Sequence, residues 1–343
     1  MCARRSTAAE LPPACYPSLL RHPHTPILLH CTSYAYHNIH KIEARYKLSG
    51  GEFTATRHST TFDYISPLKL DLTGKHVLVT GAAWESGVGY ATATALARAG
   101  ATAIAVANLH GVSGELATRL KEAAMHAGRT EPTVVCCTVD ISKLDSVQAM
   151  HETVSRAFDS RLGIVVNNAA HIEPYVPPLE TDPDVYWRSY EVNVRGLFNM
   201  AHVFLPLQLS SHTSGKELCK MINVASSSAL TARPGSASYR SSKLAILRWT
   251  ETLQLEYGDQ GLLAFCVNLG AIKTKITETA PEEVRNRFPD RPDVAGDTIV
   301  WLVAERKEWL AGRYVSCTWD MQELVEKKNE IVEDDKLKMR MAF

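Results

Sequence analysis

His76-Val-Leu-Val-Thr80-Gly81-Ala-Ala-Trp84-Glu85-Ser-Gly87-Val88-Gly89, running on into the alanine-rich stretch to Ala99, is the part of the chain that decides the fold. The apolar run at its start predicts a short strand, and Gly87–Ala99 has helical spacing. Glycines between a strand and a helix allow a tight turn and let the main chain approach a pyrophosphate. The helix N-terminus adds free N–H groups and the positive end of a dipole. The context is that of a dinucleotide loop. An ordinary strand-to-helix turn is the alternative that this stretch alone leaves open.

Outward from that loop the alternation repeats. Further strands are expected at Thr102–Asn108, Thr133–Thr138, Leu162–Asn168, Leu218–Ala225, Leu262–Leu269 and Gly312–Cys317. Helices are expected at Gly111–Ala127, Ser142–Phe158, Asp184–Leu209, Ser236–Tyr257 and Asp293–Ala304. Strands alternating with helical segments imply βαβ units. Right-handed crossovers then give an α/β, Rossmann-type, doubly wound parallel sheet of about seven strands, with helices on both faces, in one domain. The chain divides into an N-terminal extension over 1–52, read as disordered, a single domain over 53–320, and a charged, solvated helical tail over 321–343.

Composition narrows the function. The 343 residues carry 37 Lys and Arg against 37 Asp and Glu, so charge gives no case for a nucleic-acid partner. No apolar run has the ~18 residues of a membrane span. The eight cysteines form no CxxC pair, and the 13 histidines scatter, so no metal is expected. Cys136, Cys137 and Cys266 lie in apolar runs as small hydrophobes, and the reading is a reduced protein of the cytoplasm. Mitochondrial targeting by the first 50 residues stays open.

The chemistry is concentrated in Tyr239-Arg-Ser-Ser-Lys243. Positions i and i+4 share a helix face, so the Lys243 ammonium can approach the Tyr239 phenol. A cation there lowers the phenol pKa from ~10 towards working pH. Ser226 lies 13 residues upstream, at the end of the fifth strand, with Pro234-Gly235 turning the chain between them.

This ordered set resembles the short-chain dehydrogenase/reductase family. Thr80-Gly81…Gly87-Val88-Gly89 is similar to its glycine signature, although five residues instead of three separate Gly81 from Gly87. The extra pair reads as a bulge at Trp84-Glu85, and Glu85 must point away from a pyrophosphate. Asn167-Asn168-Ala169-Ala170 resembles the family's NNAG, and Asn193 falls in its NVxG. Leu269-Gly270 stands where the family has Pro-Gly; losing the proline removes a restraint on the loop.

The resemblance implies the roles. Ser226, with Ser228 as fallback, bonds the substrate oxygen, Tyr239 transfers the proton, Lys243 supports it, and Asn193 carries a proton relay through a water. Gly81, Gly87, Val88, Gly89, Asn108, Asp140, Asn168, Ala169, Ile272 and Thr274, together with Tyr239 and Lys243, are expected to hold the cofactor. Asn108 is uncharged where NAD-specific members carry an acid, so NADP is expected in preference to NAD, although no arginine directly follows it. The implied reaction moves a hydride between the nicotinamide and a carbonyl or secondary alcohol of a small organic molecule. Phe53–Lys75 and the Gly312–Asp320 end resemble a branch common in filamentous fungi, which points to polyketide-like or aromatic substrates. His171–Thr181 and Thr274–Pro292, with Pro281, Phe288 and Trp187 as apolar walls, are the expected substrate contacts. Pairing through the Asn193 and Tyr239 helices implies a homodimer or homotetramer. A non-catalytic dinucleotide-binding scaffold or sensor is the alternative reading, and an epimerase or dehydratase is a second one.

Overall fold

In the computed structural model, residues 49–213 and 219–341 are described. The extension assigned to 1–52 therefore lies almost wholly outside the described residues.

Seven strands form one sheet: β1 (His76–Thr80), β2 (Ala103–Asn108), β3 (Thr133–Thr138), β4 (Ile164–Asn167), β5 (Cys219–Val224), β6 (Leu262–Asn268) and β7 (Tyr314–Ser316). Their order is β3-β2-β1-β4-β5-β6-β7, and every pairing is parallel. The order reverses between β1 and β4, so the crevice beyond their carboxyl ends is the switch point where such sheets bind ligands. β1, β4, β5 and β6 are buried at every position. That matches their unbroken apolar runs, because helices cover both faces of a parallel sheet. The edge strand β3 is the exception: Cys137 is buried, but Cys136 is exposed, contrary to the reading of both as core residues.

The helices are α1 (Val88–Arg98), α2 (Gly114–His126), α3 (Leu144–Ala157), α4 (Pro183–Tyr190), α5 (Gly196–Thr213), α6 (Ala237–Tyr257), α7 (Glu282–Arg285), α8 (Pro292–Ala304), α9 (Met321–Glu326) and α10 (Lys328–Glu333). The single helix expected over Asp184–Leu209 is instead two. A π-helical turn at Glu191–Arg195 joins α4 to α5, with Asn193 buried inside it. Such a turn inserts a residue into the i→i−4 ladder and is common at functional sites.

The ends of the domain also depart from expectation. Residues 321–343 are not a solvated tail: Met321, Leu324 and Ile331 are completely buried, and the Tyr314 N–H of β7 donates to the Leu337 carbonyl at 2.8 Å. The ordered part begins before residue 53, since Trp319 Nε1 donates to the Gly50 carbonyl at 2.8 Å. From there the chain runs as a strap over the β7 edge. The Ala55 and Thr56 N–H groups donate to Glu323, His58 meets Asp320 at 2.8 Å, and Thr61 donates its hydroxyl to Asp297 on α8.

Asp297 is buried, and desolvation pushes its carboxyl up to about 6 from 3.8, against the Thr61 bond and nearby Arg98, with Asp293 adding to the rise. A raised carboxyl binds more protons folded than unfolded between those two values, so its ionisation costs stability as pH rises through that window. Asp297→Asn keeps an acceptor for Thr61 without the charge. It should melt above the parent at neutral pH, with the advantage disappearing as pH falls from about 6 to 3.8. Thermal scans across pH check this.

Candidate active site

The switch point is closed by side chains that sequence spacing alone could not have paired. The Thr80 hydroxyl at the end of β1 accepts the Asn168 and Ala169 N–H groups, each at 3.1 Å. In return, Asn168 Nδ2 donates to the carbonyls of Thr80 at 2.9 Å and Gly81 at 3.1 Å. Gly81 has φ +71°, and a Cβ there would sit 2.8 Å from Asn168 Nδ2, so only glycine is free of strain in this clasp. A Cβ on Gly89 would lie 2.4 Å from the Gly81 carbonyl oxygen. The loop is drawn tight beneath the first turn of α1. Val88 is buried there, and Gly87 leaves the helix N-terminus without a side-chain cap.

The inserted pair lies on the outer rim. The Gly87 N–H donates to the Trp84 carbonyl at 2.8 Å, which closes a turn. Trp84 is half exposed, with Lys275 Nζ 5.9 Å from its ring centroid. Glu85 pairs with Arg119 on α2, and Arg119 also reaches Glu115 at 2.7 Å. The insertion thus borders a cleft of about 450 Å³ that is lined by Trp84, Ser86, Lys273, Thr274, Lys275 and Arg285, among others. Pro281, Phe288 and Trp187, expected as substrate walls, are not among the residues that line this cleft. Trp187 is 58% exposed and packs with Tyr186 and Tyr190.

Asn108 closes β2. In the amide orientation that satisfies its bonds, its side-chain oxygen accepts the Leu109 and His110 N–H groups. Asp140, after β3, accepts the Ser142 N–H and hydroxyl and faces Arg188 of α4 at 3.5 Å. Burial pushes its carboxyl up, but these partners outweigh it and hold it below the ordinary carboxylate value. Ile272 is buried, and Thr274 caps the short turn Lys275–Thr279.

The missing proline of the loop after β6 has a replacement. The Ala271 N–H donates to Asp290 Oδ2 at 2.6 Å, and the Asp290 N–H donates back to the Ala271 carbonyl at 3.1 Å. Gly270 lies at φ +104° against the same carboxylate. The two bonds staple the loop that precedes Ile272 and Thr274.

Four side chains singled out from sequence meet at the ends of β5 and α6. Ser226 Oγ accepts the Ser228 N–H at 3.1 Å and the Ser228 hydroxyl at 2.8 Å, and Ser226 lies near enough to the Tyr239 phenol to favour its ionised form. Ser228 therefore supports Ser226 and does not take its place. Lys243 is buried, its ammonium donating to the Val224 carbonyl at 2.7 Å and lying 5.6 Å from the Tyr239 ring centroid. Asn193 donates Nδ2 to the His171 carbonyl at 2.9 Å and to Ser242 Oγ at 3.0 Å, and accepts the His171 N–H at 2.8 Å. A cavity of about 10 Å³, the size of one water, lies among Asn193, Lys243, Asn167 and Ala169.

The electrostatics differ from the sequence reading. Desolvation pushes the phenol up to about 12, with Tyr175 and Glu173 adding to the rise while Ser226 and Arg240 oppose it. Desolvation likewise pulls Lys243 down to about 8. A low-dielectric surround disfavours both charged forms, so the phenol keeps its proton. Sequence reasoning also missed Glu173, Tyr175, Arg188, Arg119 and Asp290, each of which acts across a long sequence gap.

Among the described residues, no group of His, Cys, Asp or Glu could hold a metal. A dinucleotide does fit: the uncapped N-terminus of α1 and the glycine cradle suit a pyrophosphate, and the adjoining cleft presents Lys273, Lys275 and Arg285 alongside Glu278 and Glu282, with Lys275 paired to Glu278 at 2.7 Å.

Comparison with known proteins agrees. Residues 75–285 match the short chain dehydrogenase family. The chain is 39% identical over 295 residues to short chain dehydrogenase mpl6 of Monascus purpureus, covering 86% of this chain and 98% of that one. It is 36% identical over 295 residues to short chain dehydrogenase pigC of Monascus ruber, covering 85% and 94%. Among solved structures, the 3-ketoacyl-(acyl-carrier-protein) reductase from Brucella melitensis complexed with NADH superposes with a TM-score of 0.61 at 25% identity, over 72% of this chain and 97% of that one. The chain belongs to the short-chain dehydrogenase/reductase family of NAD(P)-dependent oxidoreductases acting on carbonyl and alcohol groups.

Proposed function

We propose that this enzyme reduces the carbonyl of a small aromatic or polyketide-like compound, with Tyr239 as proton donor. The observation that carries the reading is the Tyr239 phenol set between Ser226 and the buried Lys243, whose ammonium lies 5.6 Å from the Tyr239 ring centroid. The nicotinamide cofactor, when bound, supplies the hydride. Ser226 holds the substrate oxygen by its hydroxyl. Tyr239 gives that oxygen a proton, and Lys243 supports the phenolate left behind. Asn193 keeps the water-sized cavity next to Lys243 open for proton resupply. Asp140, Asn168, Ala169, Ile272 and Thr274 shape the walls that receive the cofactor. The sensor reading is disfavoured because a module that only binds a dinucleotide has no need of this Ser–Tyr–Lys set around a buried lysine. The buried, free thiols of Cys137, Cys219, Cys266 and Cys317 fit a reducing compartment such as the cytoplasm.

Cofactor choice turns on the adenosine end. Asn108 offers no charge to repel a 2′-phosphate, and Arg119, held by Glu85 across the end of β2, is the cation that the sequence directly after Asn108 lacks. NADP is proposed over NAD on that basis, with the 2′-phosphate displacing Glu85 from Arg119. An exposed apolar groove on α4, α5 and α6, lined by Tyr190, Val194, Phe198 and Trp249, supports a homo-oligomer.

Four measurements test these points. Tyr239→Phe should bind cofactor normally yet lose at least ~100-fold in reduction of phenanthrenequinone, an aromatic dione probe, as the loss of a general acid implies. Full activity would sink the assignment. In the parent, reduction should hold level up to a pH of about 8 and fall above it as Lys243 loses its proton. In fluorescence titrations NADPH should bind tighter than NADH, Glu85→Gln should improve NADPH alone, and Arg119→Ala should weaken NADPH about tenfold, the equivalent of one charge-assisted bond. Tighter NADH binding reverses the cofactor proposal. Phe198→Asp should sediment as a smaller species than the parent.

A further inference from the structure

The helix that carries Tyr239 begins without a cap of its own. Ser236, just before its first residue, sits at φ +54° in the left-handed region and makes no side-chain bond to the helix. Its buried Oγ has no partner. The first N–H groups of any helix require acceptors, and here the acceptor comes from another part of the chain. Glu173, only 1% exposed, accepts the Tyr239 main-chain N–H with both carboxylate oxygens, at 3.1 and 3.0 Å. It also accepts the Ser189 hydroxyl of α4 at 2.7 Å.

Glu173 lies two residues beyond His171, whose N–H and carbonyl are both bound by Asn193. One short segment after β4 is therefore fastened to Asn193 at one point and to Tyr239 at the next. We propose that Glu173 is a positioning residue: its buried carboxylate fixes the first turn of α6 through the Tyr239 main chain, and so sets where the phenol stands relative to Ser226 and the substrate carbonyl. This rests on the reading of Tyr239 as the proton donor.

The choice of a carboxylate points the same way. Burying a charge is costly unless donors fill its lone pairs, and a serine or asparagine would satisfy one N–H at lower cost. A negative charge at a helix N-terminus gains from the dipole, and this one also faces the phenol. The groups around Tyr239 are Glu173 and Tyr175 from the loop, Ser226 from the end of β5, and Arg240 and Lys243 from α6 itself. Glu173 and Arg188 also act on His171, in opposite directions. Glu173 and Tyr175 favour the protonated phenol, while Ser226 and Arg240 favour the ionised form. Glu173 thus holds the phenol in place and helps keep the proton on it.

The test compares full-length parent, Glu173→Ala, Glu173→Gln and Tyr239→Phe, using phenanthrenequinone with the preferred nicotinamide cofactor. Glu173→Ala should lose about 100-fold in kcat, the scale of an ångström-sized misplacement, while cofactor Kd stays within about twofold of the parent, the scatter of neutral sites. Glu173→Gln should recover much of that kcat, because one oxygen still accepts the Tyr239 N–H. Its alkaline limb, which Lys243 sets, should stay at a pH of about 8. Hydrogen exchange of the 237–243 peptide, which needs no substrate, should quicken in Glu173→Ala and stay near the parent rate in Glu173→Gln. Parent-like kcat and exchange in Glu173→Ala overturn the proposal, as does a Glu173→Gln variant that recovers no kcat over Glu173→Ala. If Glu173→Ala does not fold, Glu173→Asp replaces it: the shorter carboxylate should lower kcat and quicken exchange of the 237–243 peptide, and parent-like values of both overturn the proposal. Full activity in Tyr239→Phe removes the catalytic reading instead, and the exchange result then still scores the cap.

Discussion

The lock between β1 and β4 is the constraint on which the rest of the site depends. Two parallel strands whose connections leave in opposite directions open a crevice at their carboxyl ends, and nothing in the sheet ladder holds that crevice to a fixed width. Here Thr80 and Asn168 do so reciprocally: one hydroxyl accepts two main-chain N–H groups, and one amide returns bonds to two carbonyls. With β1 and β4 held at this spacing, the glycine loop has no room for a Cβ at Gly81 or Gly89. The two inserted residues can therefore extend only outwards, where Glu85 meets Arg119. An insertion that looks disruptive in sequence is accommodated because the tight part of the loop lies on either side of it.

The same logic governs the reacting side of the crevice. Three groups with polar or ionisable side chains, Asn193, Lys243 and Glu173, are almost wholly buried, and each is held by specific acceptors or donors, as buried polar groups must be. Burial then biases their chemistry. With no counter-charge in contact, desolvation moves the phenol of Tyr239 up and the ammonium of Lys243 down. The proton therefore rests on the phenol, the state a carbonyl reductase needs before transfer. The π-helical turn at Asn193 belongs to this arrangement. By breaking the regular ladder between α4 and α5, it brings the Asn193 amide to the His171 main chain and to Ser242, and so ties the loop after β4 to the Tyr239 helix.

Much of this was legible in sequence. The strands announced themselves as apolar runs because both faces of a parallel sheet are covered, and the positions of Ser226, Tyr239 and Lys243 followed from local spacing along one strand and one helix. Contacts made across the chain left no such trace. Glu173 meets partners 16 and 66 residues away, Arg119 meets Glu85 across 34, and Asp290 meets Ala271 across 19. The C-terminal segment was misread for a different reason. Its many charges masked Met321, Leu324 and Ile331, a stripe at helical spacing that was present in the sequence and now packs under β7.

Asp290 shows how a departure from a family pattern should be weighed. A proline in the loop after β6 restrains φ within the residue itself. Leu269 leaves that restraint out, and on sequence grounds the loop should loosen. The structure instead supplies two hydrogen bonds from a residue beyond α7, and they act on Ala271, the residue just before Ile272. A covalent restraint cannot be modulated, whereas a carboxylate pair can. Desolvation raises the Asp290 carboxyl, with the Ala271 bond and nearby Arg57 of the N-terminal strap opposing the rise. The segment that carries Asp290 is also tied to the strap over the β7 edge, because the Arg291 N–H donates to the Ser59 carbonyl at 2.7 Å.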